Sequence, residues 1–216
     1  MTLLAIDTAT ERASIALHDG MTLRSECTWE AAHRHTVTLV PKIVSLLAAS
    51  GMTPQDVRAI AVCNGPGSYT GVRIGVAVAK GMAVARKVPL VGITTLDILA
   101  AAQPKDSRPL YALYAAGRKR VGYACYRWRD DRWTADGGVQ VVAWSEFVDR
   151  IELPSIVVGE LHPEGREALR PLYGRIEIPQ PAWHLRRAGF LADLAWVRLR
   201  ASQTDAPSTL LPLYTQ

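Results

Sequence analysis

This chain of 216 residues contains few cysteines and few long runs of apolar residues. Its 3 cysteines are Cys27, Cys63 and Cys125, and no two of them have the spacing of a metal site. An odd number of isolated cysteines predicts reduced thiols and a cytoplasmic protein. The longest apolar stretches are interrupted by charged residues, so no membrane span is predicted. The N-terminal segment reaches Asp7 too early for a signal peptide.

Several catalytic motifs are absent as well. There is no Gly-x-Ser-x-Gly, the motif of many serine hydrolases. The segment Trp29–His33 lacks the first histidine of a zinc-protease helix. His33 and His35 are followed four residues later by Val37 and Leu39, so neither belongs to a histidine pair on one helix face. We therefore predict no metal, no cofactor and no protease activity.

The order of predicted elements divides the chain into two α/β lobes, residues 1–104 and 105–216. Apolar runs and turn residues give each lobe the order βββαβα. Two such lobes suggest the actin-like, hexokinase-like (ASKHA) fold. In the second lobe we predict a single strand over Trp133–Val142 and helices over Pro163–Leu172 and His184–Ala201.

A glycine-rich stretch, NGPGSYTGVRIG at residues 64–75, follows an apolar run typical of a buried strand. It is not a Walker loop, because Gly71 is followed by Val72 and Arg73 instead of Lys and Ser or Thr. It also departs from the dinucleotide pattern, since three residues separate Gly67 from Gly71. The stretch predicts a tight turn and a helix with Thr70 as its N-cap. Such a turn either binds phosphate or only packs closely, and we favour close packing.

The first strand ends in Asp7-Thr8-Ala9-Thr10, the second candidate for ligand chemistry. Actin-like ATPases carry an acid here for metal-bound water and a glycine that approaches phosphate. The acid is present, but Ala9 replaces the glycine and its Cβ crowds that approach. ATP hydrolysis is therefore not expected, and a simpler role for these side chains is to cap the hairpin turn. The vestigial nucleotide or phosphate site is predicted to comprise Asp7, Thr8, Thr10, Gly65, Gly67 and Ser68.

Two predicted helices, His35–Ser50 and Thr70–Lys87, are apolar on more than one side. The apolar arc of the first is about 200° wide, against roughly 100° for a helix with one buried face. The second has small residues at four-residue spacing, which permits close approach of another helix. Either both helices are sandwiched in the core or they form a surface for a second protein of similar shape. The predicted partner interface comprises Leu39, Val40, Ile43, Val44, Leu47, Gly71, Gly75, Ala79 and Ala83.

These segments together resemble the TsaB (YeaZ) family. The strongest matches are LLAIDTAT at residues 3–10 and NGPGSYTGVRIGVAVAKGMA at residues 64–83, with PLVGITTLDILA at 89–100 and LPLYTQ at the end of the chain. The resemblance implies a part in making threonylcarbamoyladenosine on tRNA, as a non-catalytic partner of the related TsaD subunit. TsaD holds the metal with a His-x-x-x-His pair, whereas here His35 is followed by Leu39. A TsaE-like ATPase would complete the complex, and tRNA would be bound through it.

The start of the second lobe departs from the family pattern. Members often have Asp-Ala-Arg there, whereas this chain has Ala115-Ala116-Gly117-Arg118. Basic and aromatic residues alternate nearby, a pattern that suits backbone phosphates and unpaired bases, although we favour a solvated hairpin whose aromatic side chains face inward. The predicted tRNA contacts are Arg118, Lys119, Arg120, Arg127 and Arg129.

The net charge of +5 favours acidic or nucleic-acid partners only mildly. Two further questions, the alternative function and the oligomeric state, stay open at the level of sequence. An independent small-molecule kinase or ATPase of the actin-like fold is the alternative function, based on Asp7 and the loop at Gly65–Gly71. The sequence also leaves open whether the isolated chain forms a homodimer.

Overall fold

A computed structural model describes residues 1–31, 34–117 and 119–215. The chain divides into two compact units. The first unit holds Met1–Ile98 and Arg186–Tyr214, and the second holds Leu99–Leu185 and Thr215. The prediction placed one boundary between residues 104 and 105 and assigned the last helix to the second lobe, whereas this helix belongs to the first unit. Its apolar residues Leu191 and Ala195 are buried in the core of that unit.

The first unit is a five-stranded sheet with helices on both faces. Its strands have the order β3-β2-β1-β4-β5, with β1 antiparallel to β2 and parallel to β4. The apolar runs of β1, β4 and β5 have few polar interruptions, as expected for strands that are covered on both sides. The elements are β1 (Thr2–Asp7), β2 (Arg12–His18), β3 (Leu23–Glu30), α1 (His35–Ala49), β4 (Val57–Cys63), α2 (Tyr69–Arg86), β5 (Leu90–Ile93), α3 (Thr95–Ala101), whose last residues belong to the second unit, and α6 (Ala188–Arg200).

Helices α2 and α6 cover opposite faces of this sheet. The side chain of Ile6 lies against Gly75 of α2, whereas the next residue, Asp7, forms an ion pair with Arg186, just before α6. Successive residues of a strand point to opposite faces, so the two helices are separated by the sheet. Helix α1 lies beside α2 and contacts β2 and β3.

The second unit repeats the strand order of the first. Its sheet runs β11-β10-β6-β7-β8, and β9 also pairs with β7. The elements are β6 (Leu110–Ala115), β7 (Arg120–Arg129), β8 (Arg132–Ala135), β9 (Gln140–Ala143), α4 (Trp144–Arg150), β10 (Ser155–Gly159), α5 (Pro163–Leu169) and β11 (Ile176–Glu177). Both sheets thus begin with an antiparallel hairpin and continue with parallel strands, which confirms the α/β class and the repeated lobes.

Three predicted elements of the second lobe need correction. The strand Trp133–Val142 is two strands, β8 and β9, because Gly137 adopts a positive φ of 104° between them. The helix predicted over Pro163–Leu172 ends at Leu169. A 3-10 turn, Arg170–Leu172, follows it, because Pro171 has no N–H to donate to an α-helical hydrogen bond. The helix His184–Ala201 begins only at Ala188. None of the described helices is long and apolar enough to cross a membrane.

Candidate functional site

The turn after β1 and the glycine-rich loop before α2 pack directly against each other. Ser68 N–H donates to the carbonyl oxygen of Ala9 at 2.6 Å, and Thr8 Oγ1 donates to the carbonyl oxygen of Gly71 at 2.7 Å. The two segments predicted as a vestigial nucleotide site therefore do lie together. Their polar groups bond largely to each other.

Arg186 forms a buried ion pair with Asp7, the last residue of β1. Its Nε lies 3.0 Å from Asp7 Oδ2, and both side chains are buried. Arg186 also donates to Thr10 Oγ1. The other carboxylate oxygen of Asp7 accepts from Ala9 N–H at 2.8 Å. The carboxylate is thus already matched by a guanidinium and an amide, the usual requirement for a buried charge.

Close packing explains two glycines of the loop. A Cβ on Gly67 would lie 2.2 Å from the carbonyl oxygen of Ala9, and a Cβ on Gly71 would lie 2.2 Å from that of Thr8. Any larger residue would push α2 away from the hairpin. The predicted N-cap, Thr70, is wrong: the N-cap is Ser68, whose Oγ accepts from Gly71 N–H at 3.2 Å.

Cys63, at the end of β4, is a structural thiol. It is completely buried and its Sγ lies 3.2 Å from Thr95 Oγ1. Burial, followed by the nearby charge of Asp7, raises the pKa of the Cys63 thiol, so it stays protonated. Among the described residues, no group of three or more His, Cys, Asp or Glu side chains could hold a metal ion.

The β6–β7 turn of the second unit occupies the position that the β1–β2 turn has in the first. Ala115 stands at the end of β6, as Asp7 stands at the end of β1. The N–H of Ala115 donates to Glu160 Oε2 at 2.9 Å. A carboxylate thus lies against the backbone at the end of β6. Arg118 lies outside the described residues.

Most of the predicted partner interface is buried within the first unit. Seven of its nine residues contribute to the core or contact the sheet, so the prediction of a surface is wrong for Leu39, Ile43, Leu47, Gly71, Gly75, Ala79 and Ala83. The physical reason is that the small-residue face of α2 lies on the hairpin, with Gly75 against Thr8. Only Val40 and Val44 of the predicted set are exposed, at 50% and 55%.

The predicted basic strip of β7 carries its own counter-charges. Arg127 forms ion pairs with Asp136 at 2.9 Å and Glu152 at 2.7 Å, and Arg129 reaches Asp136 at 3.2 Å. The hydrogen bond from Arg127 lowers the pKa of Asp136, so this carboxylate is charged at neutral pH. Lys119 and Arg120 form no ion pair among the described residues and are exposed. Contact with tRNA stays a prediction for all four described positions.

Comparison with known proteins first defines the class of fold. An activator of the 2-hydroxyisocaproyl-CoA dehydratase from Clostridium difficile, with bound ADPNP, aligns with a TM-score of 0.56 at 11% identity, over 94% of this chain and 97% of that one. Such a low identity shows the fold alone. The fold is the predicted actin-like α/β fold.

Closer relatives define the family. YeaZ from Pseudomonas aeruginosa aligns with a TM-score of 0.81 at 26% identity, over 99% of this chain and 100% of that one. The tRNA threonylcarbamoyladenosine biosynthesis protein TsaB of Bacillus subtilis (strain 168) is 33% identical over 162 residues, 74% of this chain and 71% of the relative. TsaB of Escherichia coli (strain K12) is 42% identical over 101 residues, 46% of this chain and 43% of that one.

Residues 29–193 also match the family model described as "TsaD: tRNA N6-adenosine threonylcarbamoyltransferase". Both descriptions concern threonylcarbamoyladenosine on tRNA. The match to YeaZ extends over nearly the whole chain. The chain belongs to the TsaB (YeaZ) family of tRNA threonylcarbamoyladenosine biosynthesis proteins.

Proposed function

We propose that the chain is a non-catalytic subunit of the complex that adds the threonylcarbamoyl group to adenosine next to the anticodon of tRNA. In this role it binds and supports a TsaD-like transferase, together with a TsaE-like ATPase, and meets tRNA through the complex. We place this modification of tRNA in the cytoplasm. The family of the chain supports the pathway, and the structure of the site supports the absence of chemistry.

The single observation that carries the non-catalytic assignment is the ion pair between Asp7 and Arg186. An acid that positions a metal-bound water needs free oxygens facing the ligand. Both oxygens of Asp7 are engaged, one by Arg186 and the other by the N–H of Ala9. The hydrogen bonds from Thr8 Oγ1 to the carbonyl oxygen of Gly71 and from Ser68 N–H to that of Ala9 join the hairpin to α2 and its loop. The arrangement supports a rigid platform.

The outward faces of α1 and α2 are the surface we assign to the transferase. They present exposed apolar or small side chains beside one another, and Gly81 has no atom within 4 Å of the place its Cβ would take. Exposed apolar surface of this kind marks protein contacts. Neither helix contains an acidic residue. We call this surface the docking face: Val37, Val40 and Val44 of α1 and Ala77, Gly81 and Val84 of α2.

Reconstitution tests the proposal. Transferase and ATPase subunits are incubated with tRNA, threonylcarbamoyl-adenylate and ATP, with and without this chain, and modified adenosine is measured. We expect modification to depend on the chain, and Val84→Arg to reduce binding to the transferase at least tenfold. The matched control is Val197→Arg, at a valine of similar exposure (55%, against 63% for Val84) on α6, across the sheet. Modification without the chain, or equal binding by both variants, would overturn the proposal.

A further inference from the structure

The last residues of the chain are fastened along the glycine-rich loop of the first unit. Leu213 N–H donates to the carbonyl oxygen of Asn64 at 2.7 Å, and Lys80 Nζ donates to that of Leu210 at 3.1 Å. The side chain of Leu210 is buried beside Gly92. The segment is therefore held by hydrogen bonds at Leu210 and Leu213 and by the buried side chain of Leu210.

This fastened segment leaves large apolar side chains in solvent. Leu211 is 65% exposed, Leu213 is 43% exposed and Tyr214 is 50% exposed. Tyr214 lies against Tyr69, the first residue of α2, with ring centroids 5.1 Å apart, and Tyr69 is itself 60% exposed. Exposed apolar side chains that are held in place lose little conformational freedom on binding, which favours association.

Arg73 is the charged residue beside Tyr69. Its guanidinium lies over the ring of Tyr69, 5.0 Å from the centroid, and one of its nitrogens donates to the hydroxyl of Tyr69 at 2.5 Å. Among the described residues it forms no ion pair. The guanidinium thus keeps its positive charge next to an apolar and aromatic surface. Tyrosine and arginine of this kind are frequent among residues that dominate protein interfaces. We call these residues the tail patch: Tyr69, Arg73, Leu211, Leu213 and Tyr214.

The tail patch is continuous with the docking face. Arg73, Ala77 and Gly81 follow one another at four-residue spacing along the exposed side of α2. A partner that lies along this side therefore reaches the tail patch at the N-terminal end of the helix. The guanidinium of Arg73 and the ring of Tyr214 both lie against the ring of Tyr69, and Leu211 and Leu213 are the other members of the patch. This composition fits a protein better than it fits an unpaired base, which needs an open aromatic face.

We propose that the tail patch extends the docking face, and that it receives an apolar area of the transferase subunit that carries a carboxylate opposite Arg73. The proposal rests on the proposed function, since it takes the same partner. The unpaired charge of Arg73 selects an acidic group, and the exposed leucines and Tyr214 select apolar side chains around it. The C-terminal segment thus acts as part of the binding surface of the subunit.

Two variants test this inference by their affinity for the transferase subunit, measured by calorimetry on the full chain. The first is the double variant Leu211→Ser with Leu213→Ser, which keeps the buried Leu210 and the backbone bonds. The second is Arg73→Glu, which reverses one exposed charge on a helix and keeps the experiment informative if the double variant is poorly folded. Val197→Ser is the control for an exposed apolar side chain elsewhere in the unit. We expect each tail-patch variant to weaken binding about tenfold or more, and the control to bind as the unaltered chain does.

The outcomes separate the two proposals. If Val84→Arg abolishes binding but both tail-patch variants bind normally, the tail patch lies outside the interface and this inference is wrong, while the proposed function stands. If Val84→Arg binds normally, the docking face itself is wrong. If the tail-patch variants change only self-association in analytical ultracentrifugation, the patch serves a second copy of this chain and the inference is also overturned.

Discussion

Arg186 and Asp7 form a buried ion pair although 179 residues separate them in the sequence. The pair fastens the segment before α6 to the end of β1, in the same turn that the glycine-rich loop contacts. Removal of one partner of a buried ion pair costs about 3–5 kcal/mol.

We therefore expect Asp7→Asn and Arg186→Met each to lower the free energy of unfolding by that order, and the double variant to recover part of the loss. Chemical denaturation of all four proteins gives the coupling energy between the two sites. Costs that simply add, with no coupling, would show that the ion pair is not what holds the turn. Any Asp7→Asn protein that remains folded should support tRNA modification within a few-fold of the unaltered chain. A general acid or base would be worth about 10²–10⁴-fold.

Gly71 and Gly81 form a matched pair of glycines in α2. Gly71→Ala places a Cβ 2.2 Å from the carbonyl oxygen of Thr8, so the helix must move. We expect it to destabilise the protein by about 1–3 kcal/mol, as overpacking does. Gly81→Ala meets no atom within 4 Å and should stabilise the helix by about 0.5–1 kcal/mol. Thermal unfolding measures both, and equal effects of the two substitutions would refute the packing role of Gly71.

The isolated chain is expected to have no metal-dependent ATP turnover. Asp7 is committed to Arg186, and Ala9 occupies the position where actin-like ATPases use glycine. Phosphate release is measured with magnesium and ATP, and the TsaE-like ATPase with its own partners serves as the positive control. Turnover by the purified chain that disappears in Asp7→Asn would instead support the kinase or ATPase alternative.

The two basic groups of the second unit should differ in their contribution to tRNA binding by the assembled complex. Lys119 and Arg120 are exposed without ion pairs among the described residues, whereas Arg127 and Arg129 are matched by Asp136 and Glu152. If this surface contacts tRNA, reversing Lys119 and Arg120 to Glu should reduce the slope of log K against log salt by about 1–2. Reversal of Arg127 and Arg129 should have a smaller effect. Unchanged affinity and slope for both pairs would leave the strip as ordinary surface.

The sequence predicted the elements of the first unit well because their signals are local. β1, β4 and β5 are short apolar runs with turn residues at their ends, and Gly51 follows the end of α1. In the second unit, the turn residues Asp136-Gly137-Gly138 indicate two strands. The prediction of one strand over Trp133–Val142 did not take them into account.

The candidate site could be predicted only in part. Asp7, Thr8 and the glycine-rich loop do lie together, but no local pattern reveals Arg186, which is brought to Asp7 by the return of the chain into the first unit. An apolar arc of about 200° on α1 also cannot show which part meets the sheet of its own unit. Leu39 and Leu47 proved to be buried, and Val40 and Val44 proved to be exposed.

The central claim is that this chain supports the transferase by binding it through the docking face. It is tested most directly by titrating Val84→Arg into the reconstituted modification reaction and measuring the rate at saturation. A variant that has lost only affinity should need at least tenfold more protein and then reach the rate of the unaltered chain, as Val197→Arg does without the excess. A maximal rate that stays far below this level, with binding to the transferase shown to be saturated, would contradict the claim.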